Sequence, residues 1–169
     1  DMVKPILVLG SLNMDFVVRM SQLPVRGETL TGSDFHMLPG GKGANQACAA
    51  GRLGGQVKMI GRVGADIFGE QLRASLHSAG VDTGFIWSTA AESTGVALIF
   101  VETGGQNMIV IAAGANARLS PADLTPLQEH GRSGYLLLQL ESPADTVSAA
   151  AAMAHAAGRR ESCNQLLED

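Results

Sequence analysis

The stretch Pro39-Gly40-Gly41-Lys42-Gly43-Ala44-Asn45-Gln46 constrains this chain more than any other. Three glycines in four positions let the backbone turn tightly and let a second group approach it, because no Cβ stands in the way. The small residues from Ala44 to Leu53 predict a helix packed close to a neighbour, with Gly54-Gly55 as its stop. Such a turn leaves backbone N–H groups free at the positive end of the helix dipole, where oxygen-rich or anionic ligands bind. Lys42 and Asn45 add side-chain donors at the same place. Two known glycine motifs do not fit. A phosphate-cradling Walker loop needs glycine where His36 stands and a hydroxyl residue where Gly43 stands. The dinucleotide fingerprint fails at Gln46, where its third glycine should be. Taken alone, the stretch is also satisfied by a tight strand-to-helix turn with no ligand.

The remainder of the chain supplies strands and helices in alternation. Ile6–Leu9, Val57–Ile60 and Tyr135–Leu140 are continuous apolar runs of the kind found in buried parallel strands. Ile67–Ala79 has helical periodicity, with Asp66 as N-cap and Gly80 beyond the end. Ser120-Pro121 opens a helix to about His130, and Ser142-Pro143 opens another through Ala157. Asp15–Arg19 and Thr29–Met37 read as extended and half-exposed, and Phe85–Trp87 as short and β-prone. Gly95–Val101 and Asn107–Ile111, joined by Thr103-Gly104-Gly105-Gln106, form a hairpin signal. The pattern predicts an α/β fold, a Rossmann-like parallel sheet flanked by helices, with the hairpin material at 15–37 and 94–111 as a separate small β-sheet flap.

Composition excludes several classes. With 46% hydrophobic and 17% charged residues in 169, the chain fits one globular domain with a real core. A net charge of −4 without a basic cluster argues against a nucleic-acid partner, and no apolar run is long enough to cross a membrane. No leader pattern suggests secretion, so the cytoplasm is the expected compartment. Cys48 and Cys163 lack metal or redox spacing; Cys48, among alanines, reads as a small core residue. The four histidines form no ligand pair, and no metal site is expected.

Gly-Gly-Lys-Gly-Ala-Asn-Gln at 40–46, with its spacing to Gly54 and Gly64, resembles the first signature of the ribokinase-like PfkB family of carbohydrate kinases. Gly10-Ser11-Leu12-Asn13-Met14-Asp15, Ser93–Ala97, Ala113-Gly114-Ala115-Asn116 and Gln139-Leu140-Glu141 match the same family in order, from about Ile6 to about Ala157. The resemblance implies ATP-dependent phosphorylation of D-ribose at its terminal 5-hydroxyl. It implies ATP and Mg²⁺ as cofactors with K⁺ as activator, and a homodimer formed through the lid. It implies a sugar-binding set of Asn13, Asp15, Gly41, Lys42, Asn45 and Glu141, with Ala97 and Ile109 as lid cover or plain lid core and Asn107 and Asn116 as lid and turn residues. The family's catalytic base lies in a Gly-Ala-Gly-Asp motif that these 169 residues do not contain, so no catalytic residue is assigned. Residues 1–158 therefore resemble the N-terminal part of such a kinase, and 159–169 a divergent tail. Two alternatives stay open: a family member acting on another sugar or a nucleoside, and a non-catalytic sugar-binding or assembly fragment.

Overall fold

In the computed structural model, which describes residues 4–129 and 134–163, the apolar runs become a parallel sheet. Its strands are β1 (Ile6–Leu9), β4 (Val57–Gly64), β5 (Val81–Thr89), β8 (Tyr135–Leu138) and β9 (Arg160–Cys163), in the order β5-β4-β1-β8-β9. Alternation along β1 shows how both faces are buried. Val8 packs in one core with Ala44 and Ala47 of helix α1 (Lys42–Arg52) and Leu72 and Leu76 of α2 (Ile67–Ser78). Leu7 and Leu9 point to the other core, with Leu127 of α3 (Thr125–Glu129) and Val147, Ala150 and Ala154 of α4 (Ala144–Ala156). Helices cover both faces, as a parallel sheet requires.

The second sheet has the order β3-β2-β6-β7, built from β2 (Asn13–Met20), β3 (Asp34–Gly40), β6 (Gly95–Glu102) and β7 (Asn107–Ala112). Phe16 on β2 stacks on Phe35 and meets Phe68 of α2 edge-on at 5.5 Å, so this lid leans on the body. Asp66 ties its base down: the carboxylate caps α2 through the Gly69 N–H and also accepts from the Thr94 N–H and hydroxyl, just before β6. Burial raises the Asp66 pKa, but these hydrogen bonds more than offset that and hold it below its usual value. Elsewhere the lid leaves Met37, Leu98, Met108, Ile109, Val110 and Ile111 exposed.

Several boundaries differ from the sequence reading. Residues 29–33 are not strand, because β2 ends at Met20 and pairing with β3 begins only at Arg19↔Asp34. At its other end β3 runs on through Pro39 to Gly40; it is an edge strand, where a missing N–H costs no ladder bond. The single helix expected from Ser120 is a 3-10 turn (Pro121–Leu124) followed by α3, whose second residue, Pro126, lacks the N–H that a continuous α-helix would use. Its capping box, Ser120 with Asp123, is present, and Asp123 also takes a bidentate bond from Arg62 of β4 at 2.6 and 2.9 Å. The far end of that helix, at His130, lies outside the described residues. The β-prone run at Phe85–Trp87 extends to nine residues as β5, and Tyr135–Leu140 stops at Leu138. Cys48 is half-buried and packs against the core from its margin.

Candidate functional site

The site forms where β1 ends under the start of α1. Residues 10–13 run beneath the glycine loop so closely that a Cβ on Gly43 would stand 2.6 Å from the Gly10 carbonyl carbon and 2.7 Å from the Ser11 nitrogen. The Ala44 N–H donates to the Ser11 carbonyl at 3.0 Å, which fixes the helix on the strand end. Glu141, just past β8, brings its carboxylate to the same place. It accepts from the Ser11 hydroxyl at 2.5 Å and the Lys42 N–H at 3.3 Å, and lies 3.5 Å from the Lys42 ammonium. The Gly43 N–H donates to Ser11 Oγ at 3.4 Å. The free helix-end donors that the sequence suggested are thus engaged by Glu141 and Ser11.

Asn13 and Asp15 come from the lid. Asn13 opens β2 opposite Gly40 and Gly95 and is buried, and its Oδ1 accepts from Asn116 Nδ2 at 2.8 Å. Asp15 lies opposite Leu38 and Ala97, its carboxylate over Gly40. Among the described residues it has no hydrogen-bond or ion-pair partner. Burial, and secondarily the Glu141 carboxylate, push its pKa up to about 6. Together Asn13, Asp15, Gly41, Lys42, Asn45 and Glu141 line one open cavity of about 140 Å³, bordered on the lid side by Ala97, Ile99, Ile109 and Ile111. All six residues singled out in the sequence therefore meet. The volume falls below the roughly 300–1,000 Å³ of sites for drug-sized ligands, and suits a small polar molecule.

Asn116, read from the sequence as a turn residue, does lie in the 3-10 turn Gly114–Arg118. What sequence reasoning missed is that it is buried there and clamps Leu12, accepting from its N–H at 2.9 Å and donating to its carbonyl at 3.0 Å. The signal was its place in the quoted Ala-Gly-Ala-Asn motif. A larger cavity, about 380 Å³, lies behind β3 between α1 and α2, but it shares only Asn45 with the predicted set and holds no carboxylate. Among the described residues no group of three or more His, Cys, Asp or Glu side chains could hold a metal ion, and no helix is long and apolar enough to cross a membrane.

The sequence and the fold have counterparts among known proteins. The profile of the pfkB family carbohydrate kinases matches residues 3–168. A ribokinase from Haemophilus influenzae is 39% identical over 171 residues, covering 98% of this chain and 56% of the relative. A deoxyribokinase from Salmonella typhi is 41% identical over 143 residues, covering 84% of this chain and 47% of the relative. The structure of an Arabidopsis thaliana ribokinase complexed with ribose and ATP superposes with a TM-score of 0.83 at 32% identity, covering 96% of this chain and 53% of that one. The chain spans about half the length of these relatives.

Proposed function

Because the chain belongs to the pfkB family of carbohydrate kinases, we propose that this cavity is a sugar site and that the whole protein moves the γ-phosphoryl of ATP to the terminal 5-hydroxyl of D-ribose. The observation that carries the reading is the convergence of carboxylates (Asp15, Glu141), amides (Asn13, Asn45) and one ammonium group (Lys42) on a small cavity under apolar lid residues. A sugar offers adjacent hydroxyls and no charge. Carboxylates accept from vicinal hydroxyls, while amides and ammonium donate to their oxygens. Asp15 has its acceptor capacity open, and Asn116 occupies Asn13 Oδ1, which leaves the Asn13 Nδ2 to donate. Ile99, Ile109 and Ile111 line the lid side of the cavity, and by closing over a bound sugar they would exclude water and suppress hydrolysis of the phosphoryl donor. The relatives' names support ribose and ATP, and the deoxyribokinase likeness makes 2-deoxy-D-ribose the second sugar to test.

The reading carries ATP and Mg²⁺, K⁺ as activator, and a cytoplasmic location. Among the described residues there is no group of three or more side-chain metal donors, and the amides at the start of α1 are taken by Ser11 and Glu141. No catalytic step is therefore assigned to this chain's residues; their part is to bind and orient the sugar. The 169-residue chain is expected to bind D-ribose saturably in a calorimetric titration, and 2-deoxy-D-ribose more weakly, without turning over ATP. Absence of ribose binding would reject the sugar site. Ribose-dependent ATP turnover would instead place a base among these residues, Asp15 first.

The same reading includes a homodimer through the lid, supported by Leu98, Met108 and Val110, which lie exposed on the face away from the cavity. A contiguous exposed apolar face of this kind is one mark of a protein–protein contact. Sedimentation should give a dimer for the parent and a monomer for Val110→Lys; a parent that stays monomeric at micromolar concentration rules the interface out.

A further inference from the structure

Gln139 is fully enclosed, one residue past the end of β8. Its Nε2 donates to Gln46 Oε1 at 2.6 Å, and its own Oε1 has no hydrogen-bond partner among the described residues. That oxygen lies 1.6 Å from where a Cβ on Gly10 would stand, and the Gly43 Cα lies 2.9 Å from the same point. The amide thus fills the space over Gly10 at the crossing of β1 and α1. A buried acceptor left open costs stability, and a leucine of similar volume would fill the space without that cost. What leucine could not do is bond to α1. Gln46 lies one helical turn after Lys42, and Gln139 lies two residues before Glu141. One bond therefore joins the two segments whose ends meet at the Lys42 and Glu141 contacts.

We propose that the Gln46–Gln139 hydrogen bond is a positioning latch that sets Glu141 against the start of α1, and through it the carboxylate that a sugar meets. The proposal rests on the sugar-site reading for its consequence, but not for its geometry. Gln139 and Gln46 are positioning residues and do not line the sugar cavity.

The test uses the 169-residue chain and three readouts: hydrogen exchange at the Lys42 and Gly43 amides, D-ribose affinity, and melting temperature. In Gln139→Leu, and in Gln46→Leu at its half-buried position, exchange at those two amides should speed up at least about tenfold. Ribose affinity should weaken by roughly five- to tenfold, within the range of coupling between residues in one network. The melting temperature of Gln139→Leu should not fall. Gln46→Glu keeps an oxygen acceptor for Gln139 Nε2, so it should behave like the parent. Unchanged exchange in Gln139→Leu, or a Gln46→Glu as impaired as Gln46→Leu, would overturn the latch. So would acceleration spread equally over β4, which marks general loosening. If the parent itself does not bind ribose, the sugar reading falls while exchange still decides the latch.

Discussion

Asp15→Ala is expected to weaken D-ribose binding at least about tenfold and up to about a thousandfold, with no fall in melting temperature. A hydrogen bond to a charged group contributes roughly 1.5–3 kcal/mol, and one carboxylate spanning two hydroxyls loses both when removed. Among the described residues of the unliganded chain the same carboxylate has no partner to lose. A solvated strand-end charge would leave affinity alone, and a structural cap would lower the melting temperature; either result removes Asp15 from the site. Proton uptake gives a second readout on the same residue. With its pKa raised to about 6 by burial and by Glu141, Asp15 should lose acceptor capacity as pH falls through 6, and ribose affinity should fall with it. Stability moves the other way. The folded pKa lies above the ordinary value of 3.8, so the charged form costs the fold stability above about pH 6, and that cost fades as pH drops towards 4. Asp15→Asn should therefore be more stable than the parent at pH 8, and no more stable near pH 4.

Gly43→Ala should cost at least about 2–3 kcal/mol in chemical denaturation and abolish ribose binding. The added methyl would stand 2.6–2.8 Å from the Gly10 carbonyl carbon, the Ser11 nitrogen and the Gly10 Cα, all of them backbone atoms with no flexible end to swing aside. Relief requires α1 to lift off the end of β1, which separates Lys42 from Glu141. Gly54→Ala, at the other end of the same helix, is the control. It has a φ of +85° but nothing within 4 Å, so it meets only the left-handed backbone penalty of roughly 1–2 kcal/mol. Equal losses in the two variants would mean that the loop can move away from the strand.

What the sequence made legible was local or repeated in type. Apolar runs gave β1, β4 and β8, and glycine and capping chemistry gave the ends of α1 and α2, because those signals sit within a few residues of their effect. The hairpin between β6 and β7 turns at Gly105, whose φ of +88° the Gly-Gly pair anticipates. The six cavity residues were reached through motif likeness; periodicity alone would not have joined Asp15 to Glu141. What stayed hidden depends on partners far along the chain. Asn116 is set by Leu12 and Asn13 about a hundred residues away, and Gln139 by Gln46. Strand β9, Arg-Glu-Ser-Cys, carries no apolar run because every residue in it is exposed at the sheet edge, and only its pairing with β8 makes it a strand.

Glu141 gives the glycine loop a polarity of its own. A helix opening on such a loop is by default a hole for anions. Here a carboxylate from 99 residues later fills that hole before any ligand arrives. The loop becomes a charge filter: neutral polyols can share its donors and its carboxylate, whereas a phosphate brought to the same place meets negative charge at close range. A neutral polyol has no charged end for Glu141 to sort, so the carboxylate discriminates by charge between whole ligands and not between the two ends of one.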